Sequence, residues 1–143
     1  MTPEKFNIRV YGLLVQNDKI LITDEIRFGR KMTKFPGGGL EFGEGTKEGL
    51  LREFQEELNV KIKVCELFYM NDFFQVSSFN SNEQLLSIYY FVELISGEIN
   101  STEIPFNFET NEPQCFRWVS LKGIMENDFT FPIDKEVVKK LKT

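Results

Sequence analysis

Pro36-Gly37-Gly38-Gly39-Leu40-Glu41-Phe42-Gly43-Glu44-Gly45-Thr46, followed directly by Lys47-Glu48-Gly49-Leu50-Leu51-Arg52-Glu53-Phe54-Gln55-Glu56-Glu57-Leu58-Asn59-Val60, joins a glycine-rich loop to an acid-loaded segment. Thr46 is of the type that caps helix N-termini, and from it Leu50, Leu51, Phe54 and Leu58 fall within about 100° of arc at helical spacing. That stripe is expected to face a core. Glu53, Glu56 and Glu57 share another arc at i, i+3 and i, i+4, which makes their carboxylates neighbours. Gly49 lies in the same arc one turn earlier. Glycine inside a helix costs roughly 1 kcal/mol against alanine, so its position implies that something approaches the backbone there.

Like charges at these spacings oppose helix formation by about 0.2–0.5 kcal/mol each, and Glu56 and Glu57 sit in the last turn, where the helix dipole disfavours anions. Arg52 can pair with Glu56 and offset part of this, and a bound divalent cation would remove more. Acids without thiol or imidazole favour a hard ion, Mg²⁺ or Mn²⁺. Standing alone, such a helix would read as a solvated acidic face. Here it follows Gly37-Gly38-Gly39, a backbone suited to tight turning, carbonyl donation to a metal and approach to a phosphate, with Glu44 adding an acid between.

Written out, Gly38-x5-Glu44-x7-Arg52-Glu53-Phe54-x-Glu56-Glu57-x-Asn59-Val60 resembles the Nudix box, G-x5-E-x7-R-E-U-x-E-E-x-G-U with U apolar, matching eight of nine defining positions over 23 residues. The departure is Asn59 in place of glycine. That position follows the helix end and needs a left-handed backbone, which asparagine accepts better than any residue except glycine. The resemblance implies an α+β fold, an α/β/α sandwich with a mixed β-sheet. It also implies hydrolysis of a nucleoside diphosphate linked to another moiety, such as a nucleoside triphosphate, with Mg²⁺ or Mn²⁺. The alternatives are nucleotide sugars or ADP-ribose-like conjugates, and a non-catalytic nucleotide-sensing domain.

By the same resemblance Glu56 and Glu57 are the principal metal ligands, with the backbone carbonyl of Gly37 or Gly38. Glu53 is a further ligand or the base that activates water, Arg52 orients a glutamate, and Glu44 is an outer acid. Glu112, six residues before Trp118, resembles a late glutamate that some MutT-like members use as an extra ligand or base. Glu109 is its competitor. Asp134, in Asp128-Phe129-Thr130-Phe131-Pro132-Ile133-Asp134, resembles a base-contacting position near the MutT-type tail. Among fifteen phenylalanines, Phe28, Phe74, Phe79 and Phe131 are candidates for stacking on a base.

Outward from the box, Phe6 to Gln16, a turn at Asn17-Asp18 and Lys19 to Thr23 read as a hairpin. Asp24 to Lys34 reads as a polar connection whose Arg27, Arg30, Lys31 and Lys34 can meet substrate phosphate. Lys61 to Phe74 and Gln84 to Leu94 read as strands joined by a turn over Ser77 to Asn82. Ser101 to Pro113 reads as irregular, Cys115 to Val119 as a short strand and Ile133 to Leu141 as a packing helix. Phe73, Phe74 and Phe79 are candidates for a homodimer contact, a lid or core.

At 143 residues and 41% hydrophobic content the chain is expected to form one domain. A net charge of −5 opposes binding of long nucleic acid, which needs a basic surface. The absence of histidine removes imidazole acid/base chemistry, Ser/His/Asp schemes and His-based zinc sites. Cys65 and Cys115 have no metal-type spacing and read as buried, reduced thiols outside the chemistry. No apolar run reaches the roughly 20 residues that span a bilayer, and the first residues lack a signal-like apolar stretch, so no membrane partner and a cytoplasmic location are expected. By the resemblance to the Nudix box, the partner is expected to be a small nucleotide diphosphate derivative.

Overall fold

The computed structural model describes residues 2–108 and 113–143. Seven strands, β1 (Lys5–Gln16), β2 (Lys19–Arg27), β3 (Arg30–Lys34), β4 (Gly37–Gly39), β5 (Lys61–Met70), β6 (Glu83–Ser96) and β7 (Gln114–Ser120), pair in a mixed sheet. Helix α1 (Thr46–Leu58) covers one face with Leu50, Phe54 and Leu58 against Val10, Leu14 and Leu21. Helix α2 (Pro132–Leu141) covers the other with Ile133, Val137 and Val138 against Leu13, Ile20 and Ile22. This is the α/β/α sandwich expected from the box.

Strand β1 belongs to both halves of the sheet. It runs parallel to β6 from Lys5 to Leu14, while its other edge pairs Arg9–Tyr11 with β4 and then Val15–Gln16 with β2. Because both faces are covered, Val10 to Leu14 are buried without interruption, the pattern of a strand between two layers. Gly12 is needed within that run, since a Cβ there would stand 2.6 Å from the Phe54 ring. The predicted hairpin forms: Asn17 and Asp18 both take positive φ, as a two-residue turn between twisted strands requires.

Several expectations change. Asp24 to Lys34 is not a connection but the end of β2, a turn at Phe28-Gly29 and all of β3, paired from Thr23↔Lys34 to Arg27↔Arg30. Its polar residues are tolerated inside because each has a partner. Asp24, fully buried, accepts from Thr33 and from Arg117 of β7, whose Nη2 lies 3.0 Å away, and Lys34 pairs with Glu25 at 3.4 Å. β5 stops at Met70 rather than Phe74. The next residue, buried Asn71, donates to the Phe73 and Leu85 carbonyls and accepts the Ser87 N–H, so its side chain takes over where strand pairing ends.

In α1 the cap is Gly45 rather than Thr46, with Glu48 accepting the Gly45 N–H at 3.1 Å; Thr46 opens the helix and bonds the Tyr90 hydroxyl at 2.6 Å. Leu51 is 41% exposed and drops out of the buried stripe. Both cysteines are free but only partly buried. Among the described residues no helix is long and apolar enough to cross a membrane.

Candidate active site

The backbone places the acids against glycine. α1 ends at Asn59 in a left-handed conformation, φ 54° and ψ 42°, with its N–H on the Gln55 carbonyl and its side-chain oxygen accepting from Gln55 at 2.8 Å. The asparagine thus supplies the turn for which glycine is usual. At the other end, β4 runs beside α1 so closely that a Cβ on Gly38 would sit 2.6 Å from the Glu53 carboxylate. A side chain at that position would have to displace the carboxylate from this place. Gly49 is closely approached, as its position implied: the side chains of Leu40 and Glu44 fill the space a Cβ would take, at 2.7 and 2.9 Å.

Arg52 organises the acids. Its Nε and Nη2 donate to the two oxygens of Glu44 at 3.0 and 2.7 Å, Nη2 also reaches the Gly39 carbonyl at 3.0 Å, and Nη1 reaches Glu53 at 3.1 Å and Glu56 at 3.0 Å. Glu44 accepts the Glu41 N–H as well, and the Arg52 bond, aided by that backbone donor, holds its carboxyl down at about 2. The Arg52 guanidinium is in turn held well above its usual value, first by Glu44. Such fork-on-fork pairing fixes orientation as well as charge.

The remaining acids are under strain of charge. Burial raises Glu53, with Arg52 opposing. Burial pushes Glu57 up to about 7; Lys34 opposes this, while Glu53 and Glu25 add to it. Gln114 bridges the neighbourhood, donating to Thr23 and Glu25 at 3.1 Å each and approaching Glu57 at 3.5 Å. Glu25 and Gln114 were not singled out in the sequence, whereas Lys34 was, as a cation able to meet phosphate. The reach of β2 and β7 into this face depends on long-range pairing that no local pattern shows.

Among the described residues no group of three or more acids already converges as a cage for a metal ion. The donor set nonetheless fits a hard cation: carboxylate oxygens only, with Glu56 exposed and Glu53 and Glu57 partly buried and raised by burial. Mg²⁺ in particular keeps several waters and takes few carboxylates, which the exposure of Glu56 allows. Glu112 and Glu109 lie outside the described residues.

Beside the acids, on the α2 side of β1, is a cleft of about 140 Å³ whose lining includes Asn7, Tyr11, Phe79, Tyr89, Phe131 and Asp134. Asp134 is 3% exposed and accepts the Tyr89 hydroxyl at 2.6 Å; burial pushes its carboxyl up to about 7 and raises Tyr89 too. Arg27 also lines the cleft, its guanidinium 5.7 Å from the Phe28 ring centre and 5.6 Å from that of Phe79. Arg30 lies 5.1 Å from the Phe79 ring centre and donates to the Ser78 carbonyl. Phe74 is 61% exposed and does not line the cleft, because the Asn71 turn directs it outward.

A glycine strand thus abuts an acid-bearing helix, next to a cleft walled by aromatic rings. A family model described as NUDIX domain matches residues 5–141, and the chain belongs to the Nudix family of pyrophosphohydrolases. It is 28% identical over 142 residues to an 8-oxo-dGTP diphosphatase of Escherichia coli (strain K12), covering 97% of this chain and 98% of that protein. Its fold is similar to that of a NUDIX hydrolase from Nitrosomonas europaea, with TM-score 0.73, 21% identity and coverage of 95% and 88% of the two chains. It is likewise similar to a MutT protein from Methanosarcina mazei Go1, with TM-score 0.72, 17% identity and coverage of 96% and 94%.

Proposed function

We propose that this protein hydrolyses a nucleoside diphosphate linked to a further group, a nucleoside triphosphate first among the candidates, with Mg²⁺ or Mn²⁺ as cofactor. The observation that carries the reading is the contact between Gly38 and Glu53, which sets the acid face of α1 directly against a strand bordering an aromatic cleft. The residues that would hold the ion are Glu53, Glu56 and Glu57, with the Gly38 carbonyl and Glu112. When bound, the ion supplies charge neutralisation on phosphate oxygens and a water of lowered pKa.

The chain's own part is orientation and proton transfer. Arg52, itself fixed by Glu44, holds Glu53 and Glu56 in place. Without histidine, the proton of the attacking water passes to a carboxylate, Glu53 or Glu112. The water oxygen forms the new bond to phosphorus as one bridging P–O bond breaks. Phe79 and Phe131 offer faces for a base, Asp134 offers an edge, Arg27 lines the cleft, and Arg30 lies against the Phe79 ring. Such nucleotides are made and used in the cytoplasm, the expected setting.

The test is a panel of nucleoside triphosphates, nucleotide sugars and ADP-ribose with Mg²⁺ or Mn²⁺. Turnover that Glu56→Gln and Glu57→Gln each lower by about 100-fold or more is expected, since each removes charge stabilisation present only with the reacting phosphate. Activity indifferent to both changes would overturn the assignment. Nucleotide binding without turnover would favour a sensing role.

A further inference from the structure

Arg9 is a charge that the reading above leaves unused. It stands on β1 opposite Gly39, partly withdrawn from solvent and lining the cleft. Among the described residues its side chain makes one hydrogen bond, from Nε to the Tyr11 hydroxyl at 2.6 Å, and its guanidinium lies 5.6 Å from the centre of the Tyr11 ring. No carboxylate among them comes within ion-pair distance of it. Withdrawing a cation from water without an anion beside it is unfavourable. A terminal nitrogen, Nη1, lies 3.7 Å from the point where a Gly39 Cβ would be, and the Gly39 carbonyl is the one that Arg52 holds.

Lys34 is its neighbour. The side chain is 8% exposed, with Nζ 3.4 Å from Glu25 and 5.8 Å from the centre of the same Tyr11 ring, and it also lines the cleft. Both cations act on two sides at once. Each draws down the Asp134 carboxyl within the cleft, Lys34 draws down Glu57 on the acid face, and Arg9 is coupled to Glu53 and Glu25. Arg27 and Arg30, by contrast, are engaged by Phe28, Phe79 and the Ser78 carbonyl.

We infer that Arg9 and Lys34 form an anion seat at the junction of the cleft and the acid-bearing helix, and that it takes the phosphate attached directly to the nucleoside. The inference rests on the nucleotide reading above: with a base in the cleft and the labile anhydride over the acids, the first phosphate crosses this junction. Tyr11 holds the guanidinium in place by its hydroxyl and ring face, leaving the terminal nitrogens to donate to phosphate oxygens.

The test is calorimetric titration, in EDTA, of AMP, GMP, CMP and UMP against the matching nucleosides. For at least one base the monophosphate binds the wild-type protein about tenfold or more tightly than the nucleoside, the scale of one charge-assisted hydrogen bond. That ratio falls to about twofold or less in Arg9→Gln and is unchanged in the surface control Lys63→Gln. No monophosphate binding, no preference over the nucleoside, or an intact preference in Arg9→Gln overturns the seat. Should Arg9→Gln fail to fold, side-chain ¹⁵N resonances of the wild-type protein decide: the Arg9 Nε signal moves with the monophosphate and not with the nucleoside, and a signal unmoved by both overturns it. The metal-dependent panel is a separate readout. Turnover that depends on Glu56 and Glu57 while Arg9→Gln keeps its ratio overturns the seat alone; no turnover of any nucleotide overturns the reading beneath it.

Discussion

A single glycine and a single arginine account for most of the acid geometry. Gly38 lets the Glu53 carboxylate rest where a Cβ would push it aside, and Arg52 distributes its donors over Glu44, Glu53, Glu56 and the Gly39 carbonyl. Both were legible in the sequence, because the spacing of the box fixes them. Arg9 and Glu25 were not legible as site residues, since each owes its place to strand pairing with residues remote in the chain; Lys34 was read as a phosphate-facing cation, but its pairing with Glu25 was not. Asp134 allows a direct test at this scale. Its carboxyl titrates near 3.9 in an unfolded chain and is pushed up to about 7 here by burial, so the native state binds the extra proton between those values. Stability from this group is therefore full below about pH 4 and is lost as pH rises toward 7, with a limiting slope of roughly 1.4 kcal/mol per pH unit. Urea unfolding at pH 5 and pH 8 should show the wild-type protein losing stability relative to Asp134→Asn as pH rises. A difference that stays constant would mean that the carboxyl does not titrate there.

At the level of elements, α1 illustrates what a helical wheel can and cannot say. Its apolar arc was read as Leu50, Leu51, Phe54 and Leu58, yet Leu51 lies at the edge of that arc and is 41% exposed, whereas Phe54 is wholly buried in the groove that Gly12 leaves in β1. Periodicity gives the direction of the stripe but not its width, which is set by the surface it meets. Phe54→Ala is expected to cost about 3–5 kcal/mol and Leu51→Ala less than about 1 kcal/mol in chemical denaturation. Equal losses would mean that the helix packs in a different rotation. The β2–β3 hairpin was missed for a related reason. Asp24, Thr33 and Lys34 break the apolar alternation, and only their partners, Arg117 and Glu25, make a strand out of a polar sequence.

For the molecule as a whole, layer order and class followed from the box, while the division of labour between the two faces did not. The acids stand on the α1 side and the cleft on the α2 side, and what joins them is β1, a member of both sheet halves. That shared strand has a kinetic consequence. A region can open by itself only if the hydrogen bonds it breaks are its own, and β1 leaves neither half with such independence. Amide hydrogen exchange should place Val10 to Leu14 and their β6 partners at the full unfolding free energy, and central β2 and β7 within about 1 kcal/mol of it. Markedly faster exchange in the β2–β3–β7 half would mean that the sheet melts in two pieces. If the halves open only together, partly melted forms that keep acids without a cleft, or a cleft without acids, are not populated. The two halves of the reaction site then share one lifetime, and a protease meets either the whole native molecule or the unfolded chain.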